Sequence, residues 1–236
     1  MLFSLANYNL LIDAGDGISR SLIDNGIKFN SIDGIIFTHL HPDHFSGLPA
    51  LVVQMKMENR KEPLDIFIHE SLVKVVQDFI IHSYLLPEKM GFEIFYKTFK
   101  DDERLNITKK FSFTAKKNSH LRDLEKYQNK YASLSLYSAS FLFQLEGKKI
   151  IYTSDIGSEE DLFLFSDIEP ELFISEVTHI SPVTLLEKIK QINPDRIYLI
   201  HYSDEEIPAL NEIMANLPNT LKEKVILAAD GYSFDF

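Results

Sequence analysis

Three of the eight histidines of this 236-residue chain fall within the six residues His39–His44. They follow Ile32–Thr38, a β-branched and aromatic run with few polar breaks, which is typical of a strand buried on both faces. Because ligands of open α/β sheets bind outside the carboxyl ends of the strands, the histidines should stand in a ligand-binding loop. The pattern therefore favours a sheet-containing fold with a metal site at one sheet edge.

The spacing within this loop has a direct chemical meaning. His39 and His41 are two residues apart in extended backbone, so their side chains point the same way and can chelate one ion. Asp43 and His44 lie beyond the bend that Pro42 imposes and can face a second ion close by. Imidazole with carboxylate suits zinc first, then iron or manganese. Two-metal hydrolysis is the natural use of such a loop.

Strands and helices alternate along both halves of the sequence, which predicts a layered α/β arrangement with mixed sheets. No low-complexity linker divides the chain, so we expect a single domain over residues 1–236. The predicted strands are Tyr8–Ile12, Ile32–Thr38, Ile66–His69, Phe92–Tyr96, Leu105–Ile107, Lys110–Ala115, Ser140–Leu145, Lys149–Thr153, Glu171–Ser175, Arg196–Ile200 and Val225–Ala228. The predicted helices are Ile18–Gly26, Leu48–Met57, Ser71–Leu85, Val183–Gln191 and Pro208–Leu217.

Composition excludes several classes of protein. The absence of cysteine excludes a disulfide scaffold, a cysteine-ligated zinc site, an iron–sulfur cluster and a cysteine nucleophile. Lys and Arg number 24 against 35 Asp and Glu, and the resulting charge of −11 argues against a dedicated nucleic-acid-binding module. No stretch approaches the roughly 20 apolar residues of a membrane span. We expect a soluble, cytoplasmic protein without a membrane partner.

Two motifs carry a resemblance to a known family. Thr38–His44, followed by Gly47-Leu48, resembles the second motif of the metallo-β-lactamase superfamily, and Asp13–Gly17 resembles its first motif. In that family the motif-one aspartate supports the metal loop from behind. The resemblance implies an α/β (α+β) fold, a four-layer αβ/βα sandwich of two halves.

Three later positions match the remaining ligand motifs of this superfamily. Asp155 and His201 each follow an apolar strand directly, whereas the segment 118–121 around His120 has no rigid framing in the sequence. His69 and His82 are expected to be structural. The resemblance implies two divalent ions, with zinc favoured and manganese or iron as alternatives: one bound by His39, His41 and His120, one by Asp43, His44 and His201, and Asp155 between them.

Within the superfamily the chain resembles the phosphodiesterase branch that includes ribonuclease Z. The opening Asp13–Gly17 followed by a helix is similar to that branch. His179 lies 22 residues before His201, about where the branch carries a histidine that protonates the leaving oxygen. The resemblance therefore implies His179 as general acid, with Glu176 as its orienting partner, and Asp43 as the proton acceptor for the attacking water.

Two differences from ribonuclease Z enzymes bear on the substrate and on the oligomeric state. Ribonuclease Z enzymes grip transfer RNA with a long flexible arm, and nothing like that arm is predicted between His44 and His120. The sequence also predicts one strand before Asp13, where the family has more. Either the start of the gene is misplaced, or edge strands of the first sheet are missing. A missing edge would leave a second copy of the chain, in a homodimer, to cover the exposed strand.

The alternatives for function stay open at this point. The favoured function is a dinuclear hydrolase of phosphodiesters, acting at the 3′ end of transfer RNA or on a small phosphodiester such as a cyclic nucleotide. The same fold would also serve a lactone, thioester or β-lactam hydrolase, or a non-catalytic metal-binding scaffold. The sequence does not separate these substrates, because loops shape the pocket.

Overall fold

The computed structural model describes residues 1–235, which form two compact units. Unit 1 contains Met1–Lys100 and Ser133–Tyr137, and unit 2 contains Asp101–Ala132 and the residues from Ser138 onward. Each unit is built on one mixed β-sheet with helices, which confirms the predicted α/β class. The organisation of residues 1–236 as a single domain stays a prediction.

Unit 1 contains a five-stranded sheet in which the strands follow the order of the sequence. The first pair is antiparallel and the last four strands run parallel, so the carboxyl ends of these four lie at one edge. The strands are β1 (Leu2–Leu5), β2 (Tyr8–Ile12), β3 (Gly34–Ile36), β4 (Leu64–His69) and β5 (Ile94–Phe99). The helices are α1 (Ile18–Asp24), α2 (Pro42–Phe45), α3 (Leu48–Met57), α4 (Val73–His82) and α5 (Pro87–Met90).

The N-terminal edge differs from the expectation. The sequence predicted one strand before Asp13, but β1 and β2 form an antiparallel hairpin in which Leu5 pairs with Tyr8 across a two-residue turn. The backbone N–H of Ile12 also donates to the carbonyl oxygen of Met1 at 2.7 Å. A run as short as β1 has too few residues to show a strand periodicity. The prediction of a single strand is therefore wrong, and β1 is the edge strand of this sheet.

Unit 2 contains a seven-stranded sheet in the order β12-β11-β10-β9-β8-β7-β6. Strands β9 to β12 are parallel, and β7 runs in the same direction because β8 is antiparallel to both β7 and β9. The strands are β6 (Arg104–Thr108), β7 (Phe111–Lys117), β8 (Ala139–Leu145), β9 (Lys148–Tyr152), β10 (Leu172–Glu176), β11 (Arg196–Ile200) and β12 (Val225–Leu227). The helices are α6 (Pro182–Ile192), α7 (Ile207–Ala215) and α8 (Asn219–Lys222).

The tight turn between β8 and β9 sets their register. Leu145 pairs with Lys148, and the two turn residues between them, Glu146 and Gly147, have φ values of 52° and 92°. Positive φ at both positions is the signature of a hairpin turn that matches strand twist. The two strands therefore form a hairpin, from which β9 runs towards the edge where Asp155 lies.

Helix α6 covers part of the unit 2 sheet with one apolar face. Its buried residues recur at the spacing of a helix face and share a core cluster with Phe173 and Ile197 of the parallel strands. Those helix residues are Leu185, Leu186, Ile189 and Ile192. Burial of each such side chain contributes about 1.5–3 kcal/mol, which holds the strand ends in place.

Among residues 1–235, none of the helices combines the length and the apolar character that crossing a bilayer requires.

Candidate functional site

The histidine loop of unit 1 follows β3 directly. His39 Nε2 and His41 Nδ1 lie 3.1 Å apart, and the two ring centroids are separated by 4.7 Å. Two nitrogens bound to one tetrahedral zinc ion at 2.0–2.1 Å lie about 3.4 Å apart, so this spacing suits chelation. Pro42 begins α2, whose first turn carries Asp43 and His44 with Asp43 Oδ2 3.4 Å from His44 Nε2.

Asp13 holds this loop through a chain of hydrogen bonds. Its Oδ1 accepts from the backbone N–H of Thr38 at 2.9 Å, and its Oδ2 accepts from the Thr38 hydroxyl at 2.9 Å. His44 Nδ1 lies 2.8 Å from the same Oδ2. The Thr38 hydroxyl oxygen lies 3.0 Å from His39 Nδ1 and accepts from it. Both imidazoles therefore carry their proton on Nδ1 and present Nε2 for a metal ion, a common arrangement behind metal-binding histidines.

Glycine at position 15 permits the close approach that this arrangement needs. A Cβ at Gly15 would lie 1.5 Å from the carbonyl oxygen of Asp43. The backbone N–H of Ala14 donates to the His44 carbonyl oxygen at 2.8 Å, which ties the first motif to α2. Asp13 itself has a φ of 61°, a left-handed conformation that aspartate tolerates better than most residues.

The candidate residues of unit 2 lie after strands that end at one edge of its sheet. Asp155 follows β9, His201 follows β11, and His120 follows β7. Asp155 is buried between the two imidazoles, with Oδ2 3.7 Å from His120 Nε2 and Oδ1 3.2 Å from His201 Nδ1. Each oxygen of the Asp155 carboxylate therefore has one imidazole nitrogen beside it. Ser154 and His201 have φ values of 54° and 55°, the backbone strain that concentrates at functional sites.

The segment around His120 is framed, and the expectation that residues 118–121 lack a rigid framing is wrong. Asn118 Oδ1 accepts from the backbone N–H of His120 at 3.3 Å. The Asp161 carboxylate accepts from the backbone N–H and the hydroxyl of Ser119. The sequence analysis missed both supporting residues. The one local signal was the spacing of Ser158 and Asp161, which form a capping box.

Glu176 and His179 lie beside the unit 2 candidates. Glu176 ends β10 with 1% of its surface exposed, and its Oε2 accepts from the backbone N–H groups of Thr178 at 2.6 Å and His179 at 2.8 Å. His179 Nδ1 is 3.4 Å from the same oxygen. Burial raises the pKa of the Glu176 carboxyl, against the opposing effect of the bond from His179 and with a further increase from Asp155.

The His179 ring lies close to the imidazoles of His120 and His201. Its centroid is 4.9 Å from that of His120 and 6.0 Å from that of His201, and 38% of its side chain is exposed. The Thr178 hydroxyl donates to the His201 carbonyl oxygen, which ties the two loops together. The structure thus places His179 beside Glu176 as expected, while its role as general acid stays a prediction.

The two histidines expected to be structural lie elsewhere in unit 1. His69 ends β4, stacks on Tyr137 at 3.6 Å between ring centroids, and contacts Ser71 Oγ through Nδ1 at 2.8 Å. His82 ends α4 on an exposed surface.

The donor set fits a divalent metal ion in its chemistry. Within each unit, imidazole nitrogens and carboxylate oxygens converge at distances that suit metal coordination, and carboxylate and hydroxyl partners orient the imidazoles of unit 1. These groups of His and Asp indicate the use of divalent metal ions.

Comparison with known proteins gives three consistent results. The model of the family described as Anti-Pycsar protein Apyc1 matches residues 1–214. The Anti-Pycsar protein Apyc1 of Bacillus phage BSP38 is 27% identical over 215 residues, covering 84% of this chain and 78% of the phage protein. The Ribonuclease Z of Clostridium kluyveri is 39% identical over 87 residues, which cover 37% of this chain and 29% of that enzyme. This chain therefore spans less than a third of that curated enzyme.

A solved structure confirms the fold expectation. The metallo-β-lactamase fold protein YhfI from Bacillus subtilis matches with a TM-score of 0.72 over 98% of this chain and 88% of that chain, at 18% identity. The fold is therefore the metallo-β-lactamase fold, as the motifs of the sequence implied. The likeness to ribonuclease Z that the sequence analysis identified is confirmed as well.

Proposed function

The chain belongs to the Anti-Pycsar protein Apyc1 family, and on this premise we propose that it is a metal-dependent phosphodiesterase that opens a small cyclic nucleotide. The anti-Pycsar description of the family denotes the degradation of cyclic nucleotides. The observation that carries the proposal is the extent of the match. The likeness to the phage protein covers 84% of this chain and 78% of that protein. The likeness to a Ribonuclease Z covers less: 37% of this chain and 29% of the Clostridium kluyveri enzyme, or 60% of this chain and 49% of the Pyrococcus abyssi enzyme.

The shape of the chain between the ligand motifs supports a small substrate. Residues 45–119 consist of short strands and helices joined by short connections, without the long arm by which ribonuclease Z enzymes grip transfer RNA. The charge of −11 also provides no overall attraction for a polyanion. A cyclic nucleotide carries a single phosphodiester, so neither feature opposes it.

Two divalent ions, with zinc favoured over manganese or iron, are part of this proposal. When bound they supply a hydroxide at neutral pH and neutralise the charge of the phosphate. The ligands in the proposal are His39, His41 and His120 for one ion, Asp43, His44 and His201 for the other, and Asp155 for both. Nδ1 of His44 faces Asp13 and Nδ1 of His39 faces Thr38. These contacts support the roles of both histidines, because they leave Nε2 of each ring available to a metal.

Proton transfer is assigned to two residues. Asp43 accepts the proton of the attacking water, and 59% of its side chain is exposed, so water reaches it. His179 holds Nδ1 towards Glu176 and donates from Nε2 to the ribose oxygen that leaves. One P–O bond forms to the oxygen of water and one P–O bond to the ribose breaks, which yields a linear nucleoside monophosphate.

A substrate panel tests the proposal. The metal-loaded protein should show its highest kcat/KM on a 3′,5′-cyclic nucleotide, measured by chromatography with each of the four bases. Precursor transfer RNA with a 3′ trailer, bis-p-nitrophenyl phosphate, a thioester, a lactone and a β-lactam complete the panel. The Asp43→Ala protein, purified identically, controls for contaminating phosphodiesterases.

Cleavage of the 3′ end of transfer RNA is the second candidate function. The segment that is 39% identical to a Ribonuclease Z favours it. Cleavage of the trailer without hydrolysis of any cyclic nucleotide would replace the first proposal with this one. Turnover of the thioester, lactone or β-lactam alone would overturn both.

A further inference from the structure

A buried carboxylate joins two of the loops that carry candidate ligands in unit 2. Asp161 lies in the helical turn Glu159–Phe163 and follows the Asp155 loop. Its Oδ2 accepts from the hydroxyl of Ser119 at 2.7 Å, from the backbone N–H of Gly157 at 2.9 Å and from the backbone N–H of Ser119 at 3.0 Å. The backbone N–H of Ser158 donates to the same oxygen at 3.3 Å. The Asp161 side chain is thus hydrogen-bonded both to Ser119, in the loop of His120, and to Gly157 and Ser158, in the loop of Asp155.

A buried amide makes the second connection between the same loops. Asn118 Nδ2 donates to the carbonyl oxygen of Asp155 at 2.9 Å and lies 3.4 Å from that of Thr153. Its Oδ1 accepts from the backbone N–H of His120. The amide therefore connects the main chain of one candidate ligand with the main chain of the other.

The loops approach too closely for a side chain to stand between them. A Cβ at Gly157 would lie 2.3 Å from the carbonyl oxygen of Ser119. The two connections and this close approach hold the backbone segments of His120 and Asp155 beside each other. Their facing atoms are 3.7 Å apart, near the roughly 3.4 Å between two ligands of one tetrahedral zinc ion.

We propose that Asp161 and Asn118, which we call the loop clamp, are positioning residues that set the affinity of His120 and Asp155 for their metal ion. The clamp acts through the backbone, and neither residue is itself a ligand. Without it, His120 would stand in an irregular segment, and binding would have to order that segment at an entropic cost. This inference rests on the metal-binding part of the proposed function and is independent of the substrate.

Zinc affinity of the metal-free protein tests the clamp. Asp161→Ala should weaken zinc binding by about 10–100-fold, the usual consequence of losing a residue that supports a ligand. The affinity is measured by competition with a chromophoric chelator, without substrate. The melting temperature of the metal-free variant should fall by about 3–10 °C, because buried donors lose a charged acceptor.

Glu171→Ala is the matched control. Glu171 is a half-buried carboxylate of unit 2 that, like Asp161, accepts from the backbone: its Oε2 accepts from the N–H of Lys149 at 2.7 Å, at the opposite end of β9 from Asp155. This variant should lower the melting temperature while leaving zinc affinity within about threefold of the unchanged protein. A general effect of instability would weaken zinc binding in both variants and would overturn the proposal.

Ser119→Ala provides a milder variant in case Asp161→Ala does not fold. It removes the hydroxyl that donates to Asp161 at 2.7 Å and leaves the backbone bonds in place, so zinc affinity should fall by about 5–10-fold, beyond the range allowed for the control. Unchanged affinity in either folded clamp variant, with zinc bound by the unchanged protein, would overturn the clamp alone. Failure of the unchanged protein to bind zinc, manganese or iron would overturn the proposed function together with it.

Discussion

Replacement of Asp43 by alanine is expected to lower the turnover of a cyclic nucleotide and of bis-p-nitrophenyl phosphate by about 10³-fold or more. The variant loses the proposed proton acceptor and one proposed ligand at once. The carboxylate lies in the first turn of α2, 3.4 Å from His44 Nε2, so no other side chain of that turn can take over both tasks. Initial rates at saturating substrate, with metal content determined on the same samples, provide the measurement.

Two further variants of unit 1 make this result specific. Asp43→Asn keeps the shape of the side chain but cannot accept a proton, so turnover should stay low even where metal content is retained. Asp24→Ala removes an exposed carboxylate that pairs with Arg20 on the surface of α1, and its turnover should be unchanged. An Asp43→Ala protein that retains more than a tenth of the turnover would contradict the assigned role.

The variants His201→Ala and His179→Ala are expected to differ strongly in metal content and in which substrates lose turnover. His201→Ala should lower metal content and the turnover of every substrate, because His201 is a ligand in the proposal and its Nδ1 lies 3.2 Å from the Asp155 carboxylate. His179→Ala should retain the metal and lower turnover of a cyclic nucleotide by about 10²–10⁴-fold, the usual contribution of a general acid. On bis-p-nitrophenyl phosphate the loss should be small, since p-nitrophenolate leaves without a proton.

Metal analysis beside rates on both substrates separates the two roles. Loss of metal in both variants would make His179 a ligand and would reopen the assignment of His201, with which it shares a group of possible ligands that includes Glu176. A loss below threefold in His179→Ala on the cyclic nucleotide would make His179 an ordinary loop residue. In that case another group would have to protonate the ribose oxygen.

Local signals allowed most of the strands and the position of the histidine-rich loop to be predicted from the sequence. Arg196–Ile200 is apolar throughout its middle and is a strand over the same residues in the structure. The loop His39–His44 follows β3 because the residues before it are buried, and their backbone N–H and C=O groups find hydrogen-bond partners inside a sheet. In both places a few neighbouring residues specify the structure, so no long-range information was needed.

Features that depend on distant partners escaped prediction. Ser119 and Asp161 are 42 residues apart, and Asn118 and Asp155 are 37 residues apart, so no local pattern connects them. The support of His120 was missed for this reason. Strand β1 was missed because its four residues are recognisable as a strand only through pairing with β2. The covering of an exposed sheet edge by a second copy stays a prediction for the same reason, since it depends on another chain.

Hydrolysis of a cyclic nucleotide during stepwise removal of metal tests the central claim most directly. Turnover and metal content are measured on the same samples as a chelator is added and zinc is then restored. The account predicts that a linear monophosphate forms in proportion to bound metal, stops when the metal is removed and resumes when it returns. Undiminished turnover in the chelated protein, or a fully loaded protein that opens no cyclic nucleotide, would contradict it.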